Sequence, residues 1–170
     1  MSGMLQDGEW IPASSWDHHD FARRVPLIST FRDDVTGAAA GRFHLYVSYA
    51  SPFASRVLMV RALKGLERAL PTSVVHPCCG DDGWAFRPED DVRCDADPIL
   101  GARYLRELYL AADPYYTGPV TVPMLWDREL NTIVNNSSED LIKILDVDFQ
   151  ALAESDLCLY PETRRRIIDD

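Results

Sequence analysis

Ser51 stands where a run of strand-forming residues gives way to a helix signal. F-H-L-Y-V-S, from Phe43, leads into Ser51-Pro52, after which Ala54, Val57, Leu58 and Ala62 recur at three- and four-residue spacing. Serine followed by proline is the cap-and-first-residue signature of a helix start. Unpaired backbone N–H groups and the helix dipole favour negative charge there. A cysteine at that position would be a low-pKa nucleophile; a serine hydroxyl is a far poorer acid. No histidine is placed near Ser51 in sequence to serve as its base, so covalent attack is not expected. An N-cap needs no further reason to be serine. Ser137-Ser138 opens another helical stretch further along, and its hydroxyls and N–H groups make a site for a carboxylate. Ser137, three residues before Asp140, also resembles a capping box, and the two roles can coexist. Pro123 follows Val122 near the start of a strand, one of the few strand positions that proline accepts.

The thiols and imidazoles form no comparable pattern. Cys78, Cys79 and Cys94 with His76 lack the paired spacing of a structural zinc site, and no C-x-x-C occurs. No metal is expected, and the cysteines are expected to be free thiols. His18 and His19 are adjacent, so in regular structure they do not face each other; a solvated turn is expected.

These residues need elements to position them. Phe43 to Ser48 reads as a strand and Ser51 to Gly65 as a helix. Ser73 to His76 reads as a short strand, and residues 77 to 97 as a long acidic loop, of the kind that is usually functional or mobile. Asp97-Pro98 repeats the cap-and-proline signal for a second helix, with Leu105, Leu108, Tyr109 and Ala112 inward and Arg103, Arg106 and Glu107 outward. V-T-V-P-M-L-W-D and N-T-I-V-N-N form two strands around a tight turn near Asp127 to Asn131. A third helix follows from about Ser138, with Leu141, Ile144 and Leu145 inward. The order β-α-β-α-β-β-α is that of an α/β, thioredoxin-like fold. Three regions result: an irregular N-terminal extension over 1–40, a thioredoxin-like domain over 41–148, and a linker with the start of a helical region over 149–170. The last helix, from Pro161, runs barely two turns to Ile167 and Ile168, which implies a continuation.

Bulk composition narrows the partners. The chain has 170 residues, 46% hydrophobic and 26% charged, the ordinary mix of a soluble globular protein. No run approaches the roughly 18 apolar residues of a membrane span, and no secretory signal opens the chain. A cytoplasmic protein is expected. With 17 basic against 27 acidic residues the net charge is −10, which repels nucleic acid and anionic lipid.

The run G-R-F-H-L-Y-V-S-Y-A-S-P-F-A-S-R, from Gly41 to Arg56, resembles the active-site segment of the glutathionyl-hydroquinone reductases, the Xi-class, omega-like glutathione transferases. The family's corresponding motif is C-P-W-A-x-R. V-R-A-L-K-G-L-E from Val60, D-G-W-A-F from Asp82, L-R-E-L-Y-L-A-A-D-P-Y-Y-T-G from Leu105, V-T-V-P-M-L-W-D from Val120 and N-T-I-V-N-N from Asn131 extend the resemblance, in order, from about Phe21 to Pro161. Three departures stand out. Ser51 replaces the catalytic cysteine, Phe53 replaces the motif's tryptophan, and Ser137-Ser138 replaces a Glu-Ser pair.

The resemblance implies a glutathione transferase with glutathione as cosubstrate, transferred to or from a small electrophile or quinone-like substrate. It implies that Ser51 stabilises the glutathione thiolate by a hydrogen bond, as in other transferase classes. Phe53 and Trp84 would lie against glutathione, the alternative for Trp84 being that it pins its loop to the core. Val122 would pair through its backbone with the cysteinyl part of glutathione, ahead of a cis Pro123. Ser137 and Ser138 would hold the γ-glutamyl carboxylate, with Glu139 or Asp140 standing in for the lost glutamate toward the ammonium. Of the family's helical C-terminal domain, only the first turns are expected here. A homodimer is compatible with the resemblance. The alternative is a non-catalytic glutathione-binding or interaction module, or a fragment of a reductase.

Overall fold

The structure is a computed structural model, and it describes residues 3–15 and 31–169. His18, His19 and Phe21 lie outside the described residues. The elements, in chain order, are β1 (Met4–Gln6), β2 (Glu9–Ile11), β3 (Phe43–Val47), α1 (Pro52–Leu63), β4 (Thr72–Val74), α2 (Leu105–Ala112), β5 (Gly118–Pro119), β6 (Met124–Asp127), β7 (Thr132–Asn135), α3 (Ser138–Val147) and α4 (Arg165–Asp169). A four-stranded sheet of order β4-β3-β6-β7 forms the centre, with β3 parallel to β4 and the other pairs antiparallel. This is the thioredoxin-like arrangement that the element order implies.

Side chains alternate across this sheet, as the pleat requires. Phe43, Leu45 and Val47 of β3, Leu125 of β6 and Val134 of β7 pack with Ala54, Val57 and Val60 of α1 and Leu141, Ile144 and Leu145 of α3. Tyr46, Met124, Trp126 and Ile133 point the other way and pack with Leu105, Leu108 and Tyr109 of α2. The result is three layers, with α1 and α3 on one face and α2 on the other.

Three sequence expectations change. First, the stretch before residue 40 is not irregular throughout: β1 and β2 form an antiparallel hairpin, and β1 also pairs with β5. Asp7 and Gly8 take φ of 50° and 81° at its turn. Asp-Gly between strands is a strong short-range hairpin signal because both turn residues need positive φ. Leu5, fully buried, anchors the hairpin to the α2-side core.

Second, α2 begins at Leu105, not at Asp97-Pro98. Asp97 is buried, and its carboxylate accepts from the N–H groups of Ile99, Leu100 and Ala102 and from the Tyr46 hydroxyl at 2.5 Å. Burial alone pushes this carboxyl up, but the tyrosine and backbone donors together hold it below the usual carboxylate range. The carboxylate therefore closes a loop and ties it to β3 instead of capping a helix. Arg106, expected outside, is half-buried.

Third, the inward face of α1 continues through Val60 to Lys64, and Ala62 faces solvent. Lys64, the C-cap, is fully buried. Its ammonium pairs with Asp146 at 3.0 Å and donates to the Asp146 carbonyl, the Gln150 side chain and the Leu157 carbonyl. Asp146 accepts in turn from the Leu159 and Tyr160 N–H groups. The outer side of α1 is also apolar, with Phe53, Met59 and Leu63 exposed, as are Ile167 and Ile168 on α4.

Burial tends to raise the Asp146 carboxyl, but the Leu159 N–H, the Lys64 ammonium and the Tyr160 N–H hold it below its ordinary value. Its stabilising contribution is therefore complete above about pH 5 and is lost as pH falls below about 3.9. Asp146→Ala should cost about 3–5 kcal/mol at neutral pH, because it leaves a buried ammonium unpaired. Urea melts at pH 7 and pH 3 check this: the penalty should shrink at the lower pH, where the unfolded chain has already taken up a proton at this carboxylate.

Candidate functional site

The register of the central sheet gathers the predicted site residues at one edge. Met124, the first residue of β6, lies opposite Tyr46, next to the end of β3. Val122 and Pro123, just before β6, therefore face the turn by which β3 leads into α1. The Val122–Pro123 peptide is cis, as the thioredoxin-like fold implies. Ser51 caps α1, accepting from the Ala54 N–H, and its hydroxyl lies 3.4 Å from the Val122 carbonyl, to which it donates. Ser51, Val122 and Pro123 are all buried.

Ser137 and Ser138 lie at the start of α3, both buried. Ser137 is the N-cap, accepting from the Asp140 N–H at 3.3 Å, and its own N–H donates to the Asn135 side chain. Ser138 is joined to α1: both Nε and Nη2 of Arg56 donate to its hydroxyl, Nε at 3.0 Å. The same guanidinium lies over the Phe53 ring, 5.4 Å from its centroid. Phe53 is otherwise 59% exposed. Arg56 thus joins the N-terminal part of α1, capped by Ser51, to the N-terminus of α3, where Ser137 and Ser138 lie beside the acidic residues Glu139 and Asp140. Helix N-termini favour bound anions. Arg56 is absent from the residues singled out by sequence. Its signal was its place in S-P-F-A-S-R, little more than one turn beyond the cap.

Trp84 is half-buried and packs against the apolar cluster on the α2 side of the sheet, of which Val122 is a member. Asp140, a candidate for the ammonium of a ligand, is already engaged: Arg32 grips its carboxylate through two hydrogen bonds of 2.7 and 2.6 Å. The Arg32 contact, with some opposition from burial, holds that carboxyl below its usual range. A cavity of about 160 Å³ adjoins the site, lined by Tyr49 and Ala50, which precede Ser51, and by Val74, Val75, Pro77 and Arg93. Cys78, Cys94 and Cys158 are free thiols. Among the described residues no group of three or more His, Cys, Asp or Glu could hold a metal ion. No helix among them is long and apolar enough to cross a membrane.

The three layers, the mixed sheet and the cis proline facing a capped helix define a thioredoxin-like domain. The chain is 42% identical over 170 residues to the glutathionyl-hydroquinone reductase PcpF of Sphingobium chlorophenolicum, covering 98% of this chain and 54% of that protein. It is 41% identical over 133 residues to the glutathionyl-hydroquinone reductase YqjG of Escherichia coli, covering 78% of this chain and 40% of that one. The Xi-class glutathione transferase of Natrialba magadii matches with a TM-score of 0.84 at 42% identity, over 99% of this chain and 52% of that one. The glutathione-bound structure of E. coli YqjG matches with a TM-score of 0.71 at 43% identity, over 78% of this chain and 43% of that one. No protein-family model matches. Its homologues are Xi-class glutathione transferases and glutathionyl-hydroquinone reductases, and the chain spans about half the length of the curated relatives it matches.

The geometry at α1 sets an expectation independent of any ligand. In Ser51→Cys the new thiol would meet the same free N–H groups and helix dipole, so it should titrate below the ordinary thiol value of about 8.5. The rate of alkylation against pH, resolved by peptide mass spectrometry, checks this, with exposed Cys158 as the internal reference.

Proposed function

We propose that the chain is the glutathione-binding part of a glutathione transferase of the Xi type, in which Ser51 donates a hydrogen bond to the glutathione thiolate. The observation that carries this reading is the convergence of the Ser51 hydroxyl and the Val122 carbonyl, beside cis Pro123, at the N-terminus of α1. In this reading the glutathione backbone pairs with Val122 and places its sulfur by Ser51. Ser137, Ser138 and Arg56 receive the γ-glutamyl carboxylate, and Glu139 remains for the ammonium, since Asp140 is held by Arg32. Phe53 and Trp84 border the peptide. The cavity beside Tyr49 and Ala50 accommodates part of a small electrophilic or quinone-like acceptor.

The energies are of the right size. Lowering a thiol pKa by about two units takes roughly 2.7 kcal/mol. A helix N-terminus contributes up to about 1 kcal/mol and a charge-assisted hydrogen bond about 1.5–3 kcal/mol. A hydroxyl cannot form the mixed disulfide needed to strip glutathione from a hydroquinone thioether, so the reaction assigned to Ser51 is conjugation or a related thiol transfer, not reductive deglutathionylation. A second reading, a non-catalytic glutathione-binding module, is favoured by one observation. The Ser51 hydroxyl is already used as cap and as donor to Val122, and so has structural reason enough to exist.

Calorimetry with glutathione should give binding at millimolar or better concentrations, with NMR shifts at Val122, Ser138 and Trp84. Shifts confined elsewhere would remove the assignment. Thiolate absorbance of bound glutathione against pH then separates the two readings. Ser51→Ala should raise the apparent thiol pKa by about one unit or more if the hydroxyl bonds the sulfur, and should leave it unchanged in a module that only binds. Native reductase activity on glutathionyl-hydroquinones should be negligible and should appear in Ser51→Cys. Equal activity in both would overturn the role given to the serine.

A further inference from the structure

The N-terminal hairpin carries an indole slotted between two glycine backbones. A β-carbon on Gly3 would lie 2.5 Å from the Trp10 ring, and one on Gly83 would lie 2.7 Å from it. At Gly83, with φ of +80°, the backbone adds a second demand for glycine. The Trp10 Nε1–H donates to the Asp81 carbonyl at 2.8 Å. The Arg106 guanidinium lies over both the Trp10 ring, at 4.9 Å, and the Tyr104 ring, at 4.1 Å. From there it reaches back to the Asp82 carbonyl and, at 3.3 Å, to the Asp82 carboxylate. The turn over residues 80–83, closed by the Gly83 N–H to the Gly80 carbonyl, is therefore gripped on three sides immediately before Trp84.

The residues after this turn are equally fixed. The Trp84 carbonyl accepts from the Leu105 N–H at 2.9 Å, and the Ala85 carbonyl accepts from the His76 N–H at 2.8 Å. At its other edge the same hairpin pairs with β5, Met4 opposite Pro119 and Leu5 opposite Gly118, three or four residues before Val122. The hairpin thus touches both the turn that presents Trp84 and the segment that leads to Val122. A long loop is ordinarily the part of a domain least able to hold a side chain in one place. Here tryptophan, arginine and glycine supply what the loop lacks in regular structure.

We propose that Trp10 is a positioning residue of the glutathione site: it sets the place of Trp84 by clamping residues 81–83 from the N-terminal hairpin. The proposal rests on the glutathione-binding reading of Trp84 and Val122 given above. Trp10 touches no ligand in it. Its effect should therefore fall on binding affinity and on the order of one loop, not on the chemistry at Ser51.

The test uses the full chain and three variants. Trp10→Ala removes the clamp, Trp10→Phe keeps a ring against Gly83 but loses the bond to Asp81, and Gly83→Ala forces a methyl group into the ring. Amide hydrogen exchange over residues 81–86 reads the clamp without any ligand. It should speed up in Trp10→Ala and Gly83→Ala while protection of the central strands is kept, and Trp10→Phe should lie between. Glutathione affinity by calorimetry should fall roughly tenfold or more in the same order, the scale on which small misplacements act. The apparent pKa of bound glutathione should not move. Unchanged exchange at 81–86 overturns the clamp. Faster exchange with unchanged glutathione affinity overturns its link to the site. If the parent chain binds no glutathione, the functional reading fails, and the exchange data alone decide whether Trp10 holds the Trp84 turn. If Trp10→Ala does not fold, Trp10→Phe and Gly83→Ala decide both points.

Discussion

Helices α1 and α3 are fastened to each other at both ends. Arg56, in the first half of α1, bonds the hydroxyl of Ser138 at the start of α3; Lys64, at the end of α1, pairs with Asp146 near the end of α3. The two helices therefore run in the same direction, and their positive N-terminal ends come together. Each helix alone would offer a weak, solvent-screened site for negative charge. Here Arg56 links them through Ser138, and the buried Ser51 hydroxyl of α1 reaches the Val122 carbonyl; in partly desolvated surroundings such effects are stronger. The far end bears the cost: a buried ammonium and carboxylate, tolerable because further donors and acceptors saturate both.

The sheet supplies the remaining constraint. Because β6 runs antiparallel to β3 and begins opposite Tyr46, whatever precedes β6 must lie beside whatever follows β3. One register thus decides that a cap serine some seventy positions from Val122 shares a site with it. A slip of one residue would exchange the faces of β6, sending Leu125 toward α2 and Met124 and Trp126 toward α1, against both cores at once. Packing on two faces and the geometry of the site are in this sense one requirement.

Features set by local chemistry were legible in the sequence. The caps at Ser51 and Ser137 are written in neighbouring residues, and so are the inward faces of α2 and α3. The β-α-β-α-β-β-α order followed from strand and helix signals, and with it the expectation of a cis Pro123. Features set by tertiary partners were not. Asp97 carries the same signature as Ser51, a small polar residue before proline, yet the Tyr46 hydroxyl and three loop N–H groups hold it in the core. Lys64 reads as a solvent-facing helix end until Asp146 and the Leu157 carbonyl surround it. Arg56 was hidden for the same reason, since its partner lies eighty-two positions away. The Asp7-Gly8 hairpin was legible, and scattered charges and prolines around it obscured the signal.

The charge balance joins these observations to the proposed chemistry. A net charge of −10 repels an anionic tripeptide at long range. Long-range repulsion is screened within about 10 Å at ordinary salt, whereas hydrogen bonds made inside a pocket are not. Discrimination must therefore be local, and local donors are what the helix N-termini, Arg56 and the serines provide. The same reasoning bears on the serine itself. A cysteine at position 51 would use the α1 field to lower its own pKa; a serine leaves that field to whatever thiol is bound opposite Val122. On the proposed reading, exchanging sulfur for oxygen at one atom would move the nucleophile from the protein to its ligand while the fold around it stays the same.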